Sequence, residues 1–549
     1  MNHSYPTHEV FNQPPPLVDY DVFGADRALV EATANEGGVV DGDDSEFTEL
    51  GRLAGSFEAQ EWGRVANENP PQLRTHDRYG NRIDFVEFHP AYHELMETSF
   101  AQGLHAAPWG DVRPGAHVRR AAKIITWYQV DGGHVCPISM TYSSVAALRH
   151  EPELAAVLEP LLESRVYDRS YKPMTLKTGI SAGMGMTEKQ GGSDVRANTT
   201  VAKPTSVDGE YILTGHKWFC SAPMSDGFLM LAQAPAGITC VWVPRWRPDG
   251  TRNDFQIQRL KDKLGDRSNA SAEIEMSSTW ARRVGEEGRG VRTIIEMVNH
   301  TRLDCSLGSA AIMRQSVAQA TWHTHHRKTF GAELDQHQLM QNVLADLVVE
   351  SEAATVSVMR LARTFDRADD EREQLLARIL TPVIKYWTCK RAPHHAAESL
   401  ECFGGGGFIE ESGMPRLFRQ SPLNGVWEGS GNVICLDVLR ALVKSPESLD
   451  VFWDEIEVSS RGDERVREAV RNLQARLMDT SGLEVRARRI VESMALVFQA
   501  SQLVGKAPTS VADAFCNSRV KGDSGLAFGT LPRGTDLAAI IERARPVLN

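Results

Sequence analysis

Gly185-Met186-Thr187-Glu188-Lys189-Gln190-Gly191-Gly192-Ser193-Asp194 decides the reading of this chain. Two adjacent glycines stand between hydroxyl and carboxylate side chains, at the edge of a stretch that alternates as a strand does. Glycine lets the backbone come close to a ligand, so its N–H groups can point at an electron-rich acceptor. A second run lies far downstream, Val426-Trp427-Glu428-Gly429-Ser430-Gly431-Asn432. It sets one carboxylate among residues too small to cover it. Together the runs point to a ring-shaped cofactor with a carboxylate base over it; either run alone also fits an ordinary structural turn.

Outward from the first run, residues 181–290 read as β-structure. Asp208-Gly209 is a hairpin signal between Thr199-Thr200-Val201-Ala202 and Tyr211-Ile212-Leu213-Thr214. Phe228-Leu229-Met230-Leu231 and Thr239-Cys240-Val241-Trp242-Val243 read as buried strands, and Ala272, Ile274 and Met276 alternate with Glu273 and Glu275. On both sides the period changes to that of a helix. Phe47, Leu50, Leu53 and Phe57 share a face, and so do Leu339, Val343 and Leu347. The expected fold is mostly α with a central β-domain. Residues 1–180 form an N-terminal arm and helical domain, 181–290 the β-domain, 291–444 a helical bundle and 445–549 a helical extension. Val466–Leu477 and Val485–Gln502 are the extension's best helices. The acidic run Asp366 to Glu373 reads as a solvated turn.

At 549 residues the chain exceeds one core. No apolar run approaches the roughly 20 residues of a membrane span, and Met1–Pro6 lacks the pattern of a signal peptide. The eight cysteines are scattered without zinc or disulfide spacing, so a cytoplasmic protein with reduced thiols, no metal and no membrane attachment is expected. His323, His325 and His326 read as helix-surface or interface residues. The net charge of −12 argues against a protein that coats itself in nucleic acid. Its distribution is uneven: Arg465 to Arg489 holds seven arginines and three acids, which could form a focused positive patch or a salt-bridged, solvated helix.

The motifs resemble those of the acyl-CoA dehydrogenase flavoproteins. Gly185 to Asp194 is similar to the first family signature, and Glu401-Cys402-Phe403-Gly404-Gly405-Gly406-Gly407-Phe408, with Glu411 and Arg416, to the second. Gln420 departs from it where an acid is usual. Gly215-His216-Lys217-Trp218-Phe219 resembles the segment whose Trp lies beside the flavin. Arg327 with Phe330-Gly331 resembles the run that reaches a neighbouring subunit's cofactor. Within the family, Phe11-Asn12-Gln13-Pro14, Trp62-Gly63-Arg64-Val65-Ala66-Asn67, Glu188 to Gly192 and Trp427 to Asn432 are similar to the AidB branch of alkylation-response flavoproteins.

The resemblance implies FAD as cofactor, since no side chain accepts hydride. It implies Glu428 as base, its pKa raised by an apolar pocket to suit a weakly acidic C–H. Met184, Gly185, Met186, Thr187, Gly191, Gly192, Ser193, Trp218 and Phe219 would meet the cofactor, as would Val426, Trp427, Gly429, Ser430 and Asn432. Cys220 stands where the family more often has a Thr that bonds the ring; a thiol donates poorly, which leaves Ser221 as the alternative. Arg327 would reach a neighbour's pyrophosphate in a homotetramer, a dimer of dimers. Arg440 either reaches back to Glu428 as part of the catalytic pair or forms a helical pair with Asp437. The resemblance also implies double-stranded DNA as a partner, bound largely without sequence preference in the adaptive response to alkylation. Arg471, Arg476, Arg486, Arg488 and Arg489 are the candidate contacts. Dehydrogenase activity would then be weak or directed at an unknown substrate. The alternative is a metabolic acyl-CoA dehydrogenase with an added tail.

Overall fold

The computed structural model describes residues 7–39, 42–111 and 113–548; Met1–Pro6, read above for a signal peptide, lies outside them. The chain divides into two compact units. One comprises Glu58–Arg113 and Val130–Asp304, the other Met1–Phe57, Pro114–Gln129 and Cys305–Asn549. The chain therefore passes between units several times, and the long helix Gly290–His326 runs through one such boundary.

The first unit is built on a sheet. A separate pair, β1 (Gln72–His76) and β2 (Arg82–Glu87), precedes the sheet, which has seven strands, β3 (Ala182–Gly185), β4 (Val201–Pro204), β5 (Glu210–Ser221), β6 (Gly227–Ala234), β7 (Gly237–Pro244), β8 (Gln256–Leu260) and β9 (Ser271–Arg283). The pairs β4–β5, β5–β9, β9–β7, β7–β6 and β6–β4 close a ring, with β3 parallel to β6 and β8 antiparallel to β9. Closure removes the exposed edges an open sheet would present. β6 is buried on both faces, which explains its unbroken apolar run. Phe228 and Met230 enter the core with Val241, Phe255 and Ile274, while Leu229 and Leu231 pack with Leu148, Leu158, Trp242 and Met297. The Asp208-Gly209 turn joins β4 to β5 as its residues predict, with Gly209 at φ 75.

β1 and β2 form an antiparallel hairpin inside the span read as helical. The signal was present but short. Leu73 alternates with polar neighbours, Ile83 and Phe85 do the same, and Asp77 binds the turn through the amides of Tyr79 and Asn81.

The second unit is helical. Ala116–Tyr128 is buried along its whole length. Gln338–Asp366 packs on Glu371–Glu401, and Leu483–Lys506 packs against both. Residues after 445 thus belong to the bundle's own unit, joined by buried ion pairs. Arg360 meets Glu455 at 2.7 Å and Glu373 at 2.9 Å; Arg519 meets Glu350 at 3.1 Å; Arg543 meets Glu352 at 2.9 Å. The acidic run 366–373 is only partly solvated. Asp366 accepts the amides of His117 and Val118 at 2.7 and 3.0 Å, at the start of Ala116–Tyr128, and Glu373 is buried against Arg360. A charge count cannot distinguish an exposed acid from one that a helix start or a buried arginine has claimed.

Candidate functional site

In the sheet unit, β3 delivers Met184 and Gly185 and ends at Met186-Thr187. The loop that follows is fixed to β5. The Trp218 amide donates to the Thr187 carbonyl at 2.8 Å, and Asn198 Nδ2 donates to the Met186 carbonyl at 2.8 Å. Gly191 has φ 129, a conformation that favours glycine. A Cβ on Gly192 would lie 2.4 Å from Thr187 Oγ1. The two glycines therefore leave a cradle that side chains would fill, with Ser193 exposed beside it.

Beneath the loop lies a pair that sequence reasoning passed over. Glu188 and Lys217 are fully buried and meet at 2.9 Å. Glu188 also accepts from Thr200 Oγ1 at 2.6 Å and from the amides of Thr199 and Thr200. Burial alone would raise its pKa. The hydrogen bonds from Thr200 and Thr199, with the Lys217 ammonium, outweigh burial and hold the carboxyl far below its usual range. Burial lowers Lys217, and Glu188 offsets part of that. A saturated ion pair of this kind fixes the loop rather than reacting. The signal available was a lysine between two apolar stretches of an alternating strand.

Trp218 sits beneath cations. Lys261 Nζ lies 3.3 Å from its ring centroid, with Lys189 at 5.7 Å and Arg259 at 5.8 Å. Phe219 is 51% exposed. The strand register is irregular between Lys217 and Cys220, so Trp218 and Phe219 stay accessible while Cys220 turns into the core. Burial pushes the Cys220 thiol up to about 12. Its side chain is a packing group, whereas Ser221, half-buried and 3.4 Å from Ser271 Oγ, retains its hydroxyl on a polar side.

In the helical unit, Glu428 is half-buried and has φ 55, a left-handed conformation rare for a residue with a Cβ; Gly429 follows at φ 104. Lys385 holds this turn. Its ammonium, itself buried, donates to the carbonyls of Trp427 at 3.0 Å and Gly429 at 2.6 Å, one on each side of Glu428. Trp427 Nε1 donates to Asn424 at 2.9 Å. Lys385 was also missed, although a lysine directly after Thr381-Pro382-Val383-Ile384 is an anomaly on a buried helix. Ser430 stands at the N-cap of Gly431–Lys444 without a side-chain capping bond of its own. Val426 and Ser430 are exposed.

Other candidate residues are distributed around this unit. Arg440 is 57% exposed and lies 3.5 Å from Asp437, the helical pairing. Arg327 donates to the carbonyl of Asn12, and Asn12 in turn bonds the Lys328 backbone at 2.7 and 2.9 Å, so the N-terminal arm is clasped at this turn. Beside it Phe330 is 99% exposed. On the extension, Arg471 pairs with Glu464 at 2.7 Å and Arg476 donates to Ser493 Oγ at 3.1 Å. Arg486 closes the loop between two helices through the carbonyls of Arg476, Asp479 and Ser481. Arg488 bonds Asn432 at 2.8 Å, and Arg489 is exposed with no ion pair or side-chain hydrogen bond among the described residues. Among those residues no cluster of His, Cys, Asp or Glu is placed to hold a metal ion, and no helix is long and apolar enough to cross a membrane.

Three family descriptions match in series: the adaptive response protein AidB N-terminal domain over residues 12–169, the acyl-CoA dehydrogenase middle domain over 183–279 and its C-terminal domain over 288–443. AidB of Escherichia coli (strain K12) is 44% identical over 93% of this chain and 94% of its own length. The chain belongs to the AidB branch of the acyl-CoA dehydrogenase family. Acyl-CoA dehydrogenase family member 11 of Caenorhabditis elegans is 28% identical over 80% of this chain and 75% of its own. The crystal structure of C. elegans ACDH-11 in complex with C11-CoA superposes with a TM-score of 0.84 at 25% identity, covering 94% of each chain. The expected fold, mostly helical with a central β-domain, is that of the acyl-CoA dehydrogenases. FAD is the cofactor of the family. The open glycine cradle and the accessible face of Trp218 fit it.

Proposed function

We propose that this protein is an FAD-dependent acyl-CoA dehydrogenase-type oxidoreductase of the adaptive response to alkylation, and that its extension binds double-stranded DNA. The observation that carries the chemical part is Glu428 on a strained turn clamped from both sides by Lys385. Strain of that kind costs on the order of 1–3 kcal/mol and persists where the surroundings impose it. Here it fixes the backbone that carries one carboxylate.

FAD, when bound, supplies the hydride acceptor. Met186, Thr187, Gly191, Gly192 and Ser193 would hold it by backbone and hydroxyl groups, with Trp218 and Phe219 against the ring. Ser430 and Asn432, at the start of Gly431–Lys444, remain candidate cofactor contacts. Glu428 would take the proton from the carbon next to a thioester carbonyl as hydride leaves the adjacent carbon, giving an α,β-unsaturated thioester. Lys385 would keep the carboxylate oriented without touching substrate. Arg327 and the exposed Phe330 support an oligomer, which we take as a homotetramer. We take its residence as cytoplasmic.

The reading is tested on one purified sample by its visible spectrum and a duplex titration at several salt concentrations. Yellow protein with salt-sensitive binding supports it. Colourless protein that cannot be reconstituted with FAD defeats it. A metabolic dehydrogenase is the second reading, favoured by the acyl-CoA seen in the ACDH-11 relative. Flavin bleaching by a particular acyl-CoA, without duplex binding at low salt, would select it.

A further inference from the structure

A cavity of about 680 Å³, within the size range of small-molecule sites, lies in the sheet unit. None of the candidate cofactor, catalytic or DNA-contacting residues lines it. Its apolar walls include Phe85 from β2, Phe88 just after it, Tyr92, Met96 and Phe100 from the helix Pro90–Ala101, and Trp246 beyond β7. The hairpin that the sequence did not reveal thus supplies one wall.

The charges around the cavity do not balance. Each acid in the lining already has a cation: Glu87 has Arg74 at 2.9 Å, Asp168 has Lys172 at 3.3 Å, and Asp226 has Lys177 at 2.7 Å. Arg245 spends its donors on Tyr171 Oη at 2.9 Å and the carbonyls of Asp84 and Pro223. Arg169 remains. It lines the cavity, is exposed, and makes no ion pair or hydrogen bond among the described residues. His93, 3.2 Å from Tyr167 Oη, adds no charge near neutral pH, because burial lowers it to about 4. One unpartnered guanidinium above an aromatic hollow is a site for a single negative charge on an apolar body.

We propose that this cavity binds an apolar monocarboxylate, with the ring or chain among Phe85, Phe88, Tyr92 and Met96 and the carboxylate on Arg169. The site is separate from the flavin chemistry proposed above and does not depend on it.

The test uses the FAD-loaded full chain and two probes, 2-naphthoate and the neutral 2-naphthylmethanol, titrated by calorimetry. Wild type should bind one naphthoate per chain. Arg169→Gln, an exposed change that leaves the core alone, should weaken naphthoate about tenfold and leave the alcohol unchanged. Met96→Trp should fill the hollow and abolish both, with circular dichroism and flavin content confirming the fold. If Met96→Trp does not fold, the Arg169→Gln comparison decides alone. No naphthoate binding by wild type at millimolar concentration would overturn the proposal. So would equal naphthoate affinity in wild type and Arg169→Gln, or full binding of both probes by folded Met96→Trp.

Discussion

Arg488 Nε donates to Asn432 Oδ1 at 2.8 Å, tying the helix Leu483–Lys506 of the extension to the first turn of Gly431–Lys444, four residues past Glu428. The extension is therefore wired to the candidate catalytic segment. An arginine that sequence alone offers to DNA is already bonded to the side chain of Asn432. Arg488→Ala should weaken FAD binding several-fold, as expected for a lost charge-assisted hydrogen bond of about 1–2 kcal/mol. It should leave the salt dependence of duplex binding unchanged. Fluorescence titration of FAD and duplex titration on the same variant measure both; an altered salt slope with normal FAD affinity would return Arg488 to the DNA surface.

Lys385→Met keeps the length of the side chain and removes the ammonium. Two half-buried carbonyls, Trp427 and Gly429, lose their donor, at about 0.5–1.5 kcal/mol each. The left-handed turn at Glu428 should relax. The expected result is a lower Tm together with a fall in any acyl-CoA oxidation, mainly in kcat. A variant that loses stability but keeps full kcat would show that the clamp serves folding alone.

Glu428→Gln preserves shape and removes basicity. It should leave FAD bound and lower acyl-CoA oxidation by roughly 10²–10⁴-fold, the usual contribution of a positioned acid–base group. Stopped-flow bleaching of the flavin by acyl-CoA reads it directly. Retention of most of the wild-type rate would remove Glu428 from the role of base.

Burial would raise Glu350, but Arg391 at 2.9 Å and Arg519 at 3.1 Å outweigh it, so its pKa falls from 4.5 to about 2. A carboxyl whose folded pKa is depressed stabilises the fold above its unfolded pKa and loses that contribution as pH falls. The window here runs from 4.5 down to about 2. Glu350→Gln should cost about 3 kcal/mol at neutral pH, and the gap to wild type should narrow below pH 4.5. Urea unfolding at pH 7 and at pH 3.5 tests this; an equal gap at both would mean that the pair contributes nothing through its charge.

The architecture was legible where one period ran long. The apolar run of β6, the Asp208-Gly209 turn and the helices after residue 445 each carry a local signal that tertiary packing reinforces. The β1–β2 hairpin was not, because two short strands between helices offer few residues of alternation. At the site, the glycines and Glu428 announce themselves by composition. Glu188, Lys217 and Lys385 do not, since a buried charge looks like any surface charge until its partner is known. The arginines of the extension show the same limit. Seven in one stretch read equally as a positive patch or a salt-bridged helix, and the structure uses Arg486 to close a loop and Arg488 to hold Asn432.

The DNA surface, on this division, rests on the arginines left over. Arg489 is exposed and without an ion-pair partner among the described residues. Arg476 meets only a hydroxyl, and Arg471 pairs with Glu464 where both are largely exposed, an arrangement worth little and easily exchanged for phosphate. A chain of net charge −12 repels a duplex elsewhere, so binding should need several of these arginines together. Guanidinium forks suit phosphate oxygens and read no sequence, so affinity should vary little between duplexes. Each phosphate neutralised contributes about −0.9 to the slope of log affinity against log salt. Replacing Arg471, Arg476 and Arg489 with Ala should therefore flatten the slope by about 2 to 3 while the flavin spectrum stays the same. Arg486→Ala should instead loosen the loop at Asp479–Ser481 and lower Tm, with a smaller effect on slope. An unchanged slope in the triple variant would place the duplex on another surface of the protein.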